Sequence, residues 1–420
     1  MIEGGRPLAG RVRAAGNKNG ALPILAASLL TDEPVTLTNV PRIKDVEPMF
    51  ELMQGLGAEV DWTGTNEARI QPAELVTHEV DDVLGERIRA SFLLAAPLLA
   101  RLGRASLPPP GGDVIGRRRI DPHLHAFARL GVEIGFDGHY HLEAGELEGT
   151  HIFLDEASVM GTENTVMAAV LATGRTTITN AASEPHVQDL CNFLVSLGAH
   201  IEGIGSNTIH IEGVERLRGG SYRIRPEHVE VGSFIGLAAV TGGEITVEDV
   251  EPDDLVSITP AFERLGVRVE VEGSTVRVPA NQSLVIQDDV GGQIPKLEDG
   301  PWPGFPADLT SIAVALATQA QGTILIFEKM FENRLFFVDK LVSMGARIIL
   351  CDPHRVIVNG PARLYGQRMS SPDIRAGMAL LLASLCAEGT STIGNAAEID
   401  RGYERIDERL RALGASIERI

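Results

Sequence analysis

One pattern recurs six times in this chain and limits what it can fold into. A helix end closing on Leu-Gly or Met-Gly runs into a β-branched stretch: ELMQGLGAEV, AFARLGVEI, FLVSLGAHI, AFERLGVRV, LVSMGARI and LRALGASI. The glycines are Gly57, Gly131, Gly198, Gly266, Gly345 and Gly414, spaced by 74, 67, 68, 79 and 69 residues. Glycine at a helix C-terminus suits a left-handed cap, and the run behind it suits a strand. Upstream in each copy lies a second helical segment rich in small apolar residues, such as NGALPILAASLL, TVMAAVLATG or AGMALLLASLCAEG. It leads into a short strand such as TLTN or TTITN. The unit therefore reads β-α-β-α-β-β, about 70 residues long by the glycine spacing.

Helices that are apolar all round belong in the middle of a fold. The pattern predicts an α/β protein turned inside out, with helices central and sheets partly outside. Six such units in 420 residues exceed what one core normally serves, so two domains of three units each are expected. An open solenoid is the competing architecture, but the copies are long and differently decorated.

The chain carries a formal net charge of −20 and 44% apolar residues. This argues against a nucleic-acid coat or a protein held at a membrane surface. The apolar stretches, SFLLAAPLLA among them, are about half the ~20 residues that a bilayer span needs, and MIEGGRPLAG lacks the look of a signal peptide. Cys191, Cys351 and Cys386 have no metal-ligand spacing and read as reduced, buried thiols. The expectation is a cytoplasmic protein with no metal and no cofactor.

Charge at the starts of the apolar helices is unusual. The six residues there are Lys18, Arg89, Glu163, Glu230, Asp308 and Arg375. The helix dipole disfavours cations at that end, yet three of the six are basic. Solvated side chains bent away would explain one such case. Three equivalent cases point instead to an external anion between helix ends and basic groups. The second unit also carries PPPGGDVIGRRRIDPH, where the other units have a compact turn. Glycines for motion and arginines for anions suggest a lid; a solvated insertion is the plainer alternative.

The segments GNKNGALPILAASLL with VPRIKDV, Arg89–Ser91, PGGDVIGRR, FPADLTS, FEKMFENR, SPDIRAG and IDRGYERIDERLRALGA together resemble the enolpyruvyl transferases. The resemblance spans essentially the whole chain and is nearest the branch that acts on sugar nucleotides. It implies a two-domain inside-out α/β barrel with the active site in the interdomain cleft. Residues 18–228 would form the N-terminal domain with a mobile loop at 108–121. Residues 1–17 with 229–420 would form the C-terminal domain. It implies transfer of enolpyruvate from phosphoenolpyruvate to the 3-hydroxyl of UDP-N-acetylglucosamine, by addition and elimination, with release of phosphate and no metal. That reaction is the first committed step of peptidoglycan synthesis.

Residue by residue, the resemblance places Lys18, Asn19, Arg118, Arg375 and Arg401 on phosphoenolpyruvate. It places Asn19, Arg89, Arg118, Asp121, His123, Ser158, Val159, Asp308 and Phe331 on the UDP-sugar, with Glu332 beside Phe331. Asp308 is the base candidate and Lys18 an electrostatic partner of the reaction. Asp373 orients the arginines, and Gly111 and Gly112 serve as the loop's hinge. Asp113 is the acid candidate, standing where many family members carry the cysteine that fosfomycin alkylates. A carboxyl must hold its proton before giving it, so partial removal from water is expected there.

Other positions depart from the family pattern: Arg119 for a proline, Glu156 for a lysine, an added Met160, and Glu398 for a histidine. They leave open a different nucleotide or sugar-nucleotide acceptor, shikimate 3-phosphate, or a non-catalytic protein that binds a sugar nucleotide. Of Arg117 and Arg119, at least one is expected to be merely solvated.

Overall fold

The computed structural model describes residues 1–420. The chain forms two compact units, one of Met1–Ala15, Asp113–Arg117 and Pro226–Ile420, the other of Gly16–Gly112 and Arg118–Arg225. The family resemblance implies that the whole of 108–121 belongs to the N-terminal domain. Asp113–Arg117 instead groups with Pro226–Ile420, because its contacts, described below, are made there.

Each unit is built around helices with almost no exposed face. In the 16–225 unit these are α1 (Lys18–Ala27), α2 (Ala95–Leu102) and α3 (Val159–Ala169). In the other unit they are α4 (His228–Thr241), α5 (Thr310–Ala317) and α6 (Ile374–Cys386). Every residue of α5 is buried, as is every residue of α4 from His228 to Ala239. The three pack against one another in pairs. Small residues let them approach: a methyl added at Gly236 would stand 3.0 Å from Ile312 Cγ2 and 3.1 Å from Leu382 Cδ1. Each large aliphatic side chain so buried stabilises its core by roughly 1.5–3 kcal/mol.

Around the helices lie six sheets, three to a unit, five of four strands and one of three. The third repeat shows the pattern cleanly. His151–Phe153 pairs parallel with Arg175–Thr179 across the crossover helix α3, and a hairpin of His200–Glu202 and Thr208–Glu212 completes the sheet. The inside-out arrangement is as the repeat implied. The sheets remain separate, so no unit closes into one hydrogen-bonded barrel.

Two features of the topology were not legible in the repeat. Ala9–Arg13, which precedes α1, pairs with Glu244–Glu248 behind α4, while Gly220–Arg223, which precedes α4, pairs with Val35–Thr38 behind α1. The opening strands of the first and fourth repeats are thus exchanged. Ile2–Glu3 inserts between Thr390–Gly394 and Ser416–Ile417, so the chain's first residues complete its sixth sheet.

All six signature glycines have positive φ, between 85° and 110°, as a left-handed helix cap requires. No helix is long and apolar enough to cross a membrane. Of the three thiols expected to be buried, Cys191 is buried, Cys386 is half-buried and Cys351 is exposed, because it lies on the edge strand Ile348–Asp352.

Candidate active site

Two of the charged residues of the repeat lie in short turns just before their central helices, and the others lie inside the helices themselves. Lys18 is the first residue of α1 and Arg375 the second of α6, while Asp308 sits in the short 3-10 turn Ala307–Leu309 leading into α5. Arg89 opens the 3-10 turn Arg89–Leu94 ahead of α2. Glu163 is a full turn inside α3, where burial and nearby Glu184 hold its carboxyl well above the usual range. Glu230 accepts from Arg409 at 2.5 Å and from the Ala15 N–H at 3.0 Å.

In the 16–225 unit, Asn17 caps α1 by accepting from the Gly20 N–H at 3.1 Å. This fixes the helix start, and Lys18 follows it with its ammonium 2.8 Å from Asp45 Oδ2; both side chains are largely buried. Asn19 is half-buried on the next position. Arg89 donates to the backbone carbonyls of Arg118 and Arg119, at 2.7 and 3.1 Å. Burial, with the positive charge of Arg118, lowers its guanidinium to about 10. Arg89 therefore fastens the far end of the loop from within.

Arg119, one of the departures, meets another departure. Its guanidinium lies 3.0 Å from Asp155, 3.7 Å from Glu156 and 3.4 Å from Asp121. Arg119 is thus engaged, and Arg117 is the exposed one of the pair. Asp121 is exposed at the first position of the helix Asp121–Arg129. His123, two residues on, is 1% exposed. Its Nδ1 meets Asn164 Nδ2 at 2.8 Å and its ring stands edge-on to Phe92. Burial, then the charge of Arg89, pushes it down to about 3, so the imidazole is neutral. Its side chain packs inside the unit, against Asn164 and Phe92. Ser158 caps α3, its hydroxyl accepting from Gly161 N–H at 3.2 Å, with Val159 half-buried beside it and Met160 packed on the core.

In the other unit, Asp308 is gripped from two sides. Arg375 reaches Oδ2 through Nε at 2.9 Å and Nη2 at 2.8 Å, and Arg334 reaches Oδ1 at 2.9 Å. Both arginine side chains are 4% exposed, against 26% for the aspartate. Burial works against the charge of Arg375. Asp308, then Tyr403 and Glu227, outweigh it and hold the guanidinium well above its ordinary value. Asp373 caps α6 with Oδ1, accepting from the Arg375 and Ala376 N–H groups at 2.8 and 2.9 Å. It orients Arg375 through the backbone; burial raises its carboxyl while Arg334 opposes. Arg375 Nη1 is buried with no hydrogen-bond partner.

Arg401 carries two carboxylates on one nitrogen. Nη1 lies 2.6 Å from Asp113 and 2.7 Å from Glu398. The Asp113 side chain is 16% exposed. Its neighbours hold it there. The Ile115 carbonyl accepts from Asn333 N–H at 3.0 Å, and Glu332 accepts from the Arg117 N–H at 3.1 Å. Phe331 lies under the guanidinium of Arg334, 5.2 Å away. Of the hinge glycines, Gly112 has φ of 101°, but Gly111 owes its place to close packing. A methyl there would fall 1.7 Å from the Glu86 carbonyl oxygen.

The sequence reading left Asp45 and Arg334 unassigned. Both lie inside segments it singled out, VPRIKDV and FEKMFENR. Nothing in either segment says which charge a buried cation will find.

A family model described as EPSP synthase (3-phosphoshikimate 1-carboxyvinyltransferase) matches residues 2–410. A UDP-N-acetylglucosamine 1-carboxyvinyltransferase of Bradyrhizobium diazoefficiens is 59% identical over 420 residues, covering 100% of this chain and 97% of the relative. One of the same name from Treponema denticola is 52% identical over 418 residues, covering 100% and 98%. Among solved structures, the enolpyruvyl transferase NikO from Streptomyces tendae superposes with a TM-score of 0.88 at 26% identity, covering 99% of this chain and 97% of that one.

Proposed function

The chain belongs to the EPSP synthase family of enolpyruvyl transferases, and on that premise we propose that it transfers enolpyruvate from phosphoenolpyruvate to the 3-hydroxyl of UDP-N-acetylglucosamine. The product then enters peptidoglycan synthesis. Relatives of that name, 59% and 52% identical over their whole length, support this acceptor.

One observation carries the site assignment. A buried guanidinium nitrogen with no partner, Arg375 Nη1, is a costly thing to leave unmet. An anionic ligand meets it. We assign the phosphoenolpyruvate carboxylate to Arg375 and Arg401, and its phosphate to Lys18 and Arg118. Arg89 supports Arg118 by holding the loop backbone. The nucleotide falls to the chain at Asp121–His123 and to Ser158 and Val159, with Asn19 and Phe331 beside the sugar.

In the addition step Asp113 gives a proton to C3 of phosphoenolpyruvate, and the sugar 3-oxygen bonds to C2 as Asp308 takes its proton. In the elimination step C3 returns a proton to the Asp113 carboxylate and the C2–O bond to phosphate breaks, the departing phosphate taking the proton held by Asp308, so that both carboxyl groups regain their starting states. The cations stabilise charge as it develops on carboxylate and phosphate. Asp308 faces the task already oriented, since two arginines fix both its oxygens.

A second reading keeps the chemistry and changes the acceptor. Asp155 and Glu156 place two carboxylates around Arg119, and the likeness to NikO reaches an enolpyruvyl transferase of a different name. Phosphate release from phosphoenolpyruvate decides between them when measured against UDP-N-acetylglucosamine, other UDP-sugars, free nucleotides and shikimate 3-phosphate. Release with UDP-N-acetylglucosamine alone is expected. Release with another acceptor only would establish the second reading, and release with none would indicate a binding protein.

A further inference from the structure

Behind Arg334 lies a pair of carboxyl groups that the proposed chemistry does not use. Glu328 is 0% exposed and Asp299 is 2% exposed. One oxygen of each is satisfied by backbone. Glu328 Oε1 accepts from the Phe331 N–H at 3.1 Å, and Asp299 Oδ1 accepts from the Lys329 N–H at 2.5 Å. The other two oxygens, Glu328 Oε2 and Asp299 Oδ2, are buried without a partner. Asp299 and Glu328 follow the paired residues Glu298 and Phe327 of two parallel strands, the Asp299 N–H donating to the Phe327 carbonyl at 3.3 Å, and the Glu328 carboxyl interacts with both Asp299 and the Thr310 hydroxyl.

Arg334 does not resolve this. Its Nε is 4.0 Å from Glu328 Oε2 and itself lacks a partner, while Nη2 is committed to Asp308 at 2.9 Å. Two ionised carboxylates, buried and adjacent, would repel each other, and the single Thr310 hydroxyl can donate to only one of the two oxygens. A single proton on Glu328 Oε2 turns that oxygen into a donor toward Asp299 Oδ2 and satisfies both at once.

We propose that Glu328 and Asp299 share one proton, and that this makes Glu328 a positioning residue which leaves Arg334 committed to Asp308. With both groups ionised, a second negative charge would compete with Asp308 for the same guanidinium. Burial, reinforced by Asp299, pushes the Glu328 carboxyl far above its ordinary range against the pull of Arg334. The other charged neighbours do not supply that proton's function. Lys329 turns to Glu298 at 3.2 Å, and His354 spends Nδ1 on the Glu328 backbone carbonyl at 2.7 Å. Asp373 caps α6 and feels the charge of Arg334 from its own side.

The functional half of this inference rests on Asp308 serving as the base; the shared proton does not. The test uses the full-length protein. The infrared difference spectrum of wild type minus Glu328→Gln, in which the buried Glu163 carboxyl cancels, is expected to show a protonated-carboxyl band at neutral pH. In Asp299→Asn, where no charge opposes ionisation, the band is expected to disappear at a lower pH than in wild type. Wild-type turnover is expected to fall at alkaline pH as Glu328 releases its proton. Glu328→Gln, whose amide still donates to Asp299, is expected to move that fall to higher pH and to retain turnover within about fivefold of wild type, the worth of one hydrogen bond. Glu328→Ala is expected to lose more than this. A difference spectrum without the band overturns the shared proton. A band that is present, with an alkaline fall unmoved by Glu328→Gln, overturns the positioning role. A wild type inactive with every acceptor would refute the proposed reaction, and the band would still decide the shared proton.

Discussion

Arg375 binds Asp308 twice through one oxygen, with Nε at 2.9 Å and Nη2 at 2.8 Å from Oδ2, and still has Nη1 buried and unpartnered. The same guanidinium thus fixes a carboxylate of the protein and keeps one donor for something else. In the proposed reaction that something is the substrate's carboxylate.

Replacing Asp308 with asparagine keeps the shape and removes the proton acceptor. Phosphate release is expected to fall by about 10²–10⁴, the usual worth of a positioned general base. Binding of phosphoenolpyruvate and the UDP-sugar, read by calorimetry, is expected to persist, and a thermal melt checks that the variant is folded. A rate equal to wild type would remove Asp308 as base.

Gly116 has φ of 135°, and a methyl there would lie 2.1 Å from Glu332 Oε2 and 3.0 Å from the Glu332 nitrogen. Gly116→Ala is therefore expected to lift residues 113–117 off Glu332 and Arg401. Misplacing Asp113 by an ångström costs up to about 10² in kcat/KM. The melting temperature should move by no more than about 2–4 °C, the scale of 1 kcal/mol in a domain this large. Unchanged kcat/KM would show that the docked segment is not needed for turnover.

Asp113 offers fosfomycin no thiolate, the group whose nucleophilicity the alkylation requires. Mass spectrometry of enzyme incubated with the epoxide is expected to show no adduct. Asp113→Cys is expected to gain a stoichiometric adduct and lose activity with time. Covalent labelling of Asp113 itself would refute this.

His123 makes stability depend on pH in a known direction. Its folded value, about 3, lies below the ordinary 6.5. Below pH 6.5 the unfolded chain takes up a proton that the native chain refuses, so the contribution is full above 6.5 and is lost as pH falls toward 3. The loss is at most about 1.4 kcal/mol per pH unit. Asp189 works the other way: burial raises it from 3.8 to about 6, so its contribution is full below 3.8 and is lost as pH rises to about 6. Denaturant titrations of wild type against His123→Gln cancel Asp189. Wild type is expected to lose stability relative to the variant as pH falls from 6.5 to 4. A difference independent of pH would mean that the imidazole is not held neutral.

The sequence alone determined the architecture. A 70-residue repeat with an all-apolar helix and a glycine cap admits few arrangements, because an apolar helix must be covered and a left-handed cap favours glycine. It also marked where charge gathers, since a cation at a helix start is visible in one dimension. Tertiary structure alone decided who meets whom. The loop's Arg119 found Asp155 and Glu156, and Asp113 found Arg401, across 288 positions of chain. His123, read as a nucleotide contact, turned inward to Asn164 and Phe92. The strand exchange between Ala9–Arg13 and Gly220–Arg223 belongs to the same class. Periodicity fixes a residue's local conformation and its face. Pairing between distant charges and strands depends on distances that only the packed chain sets.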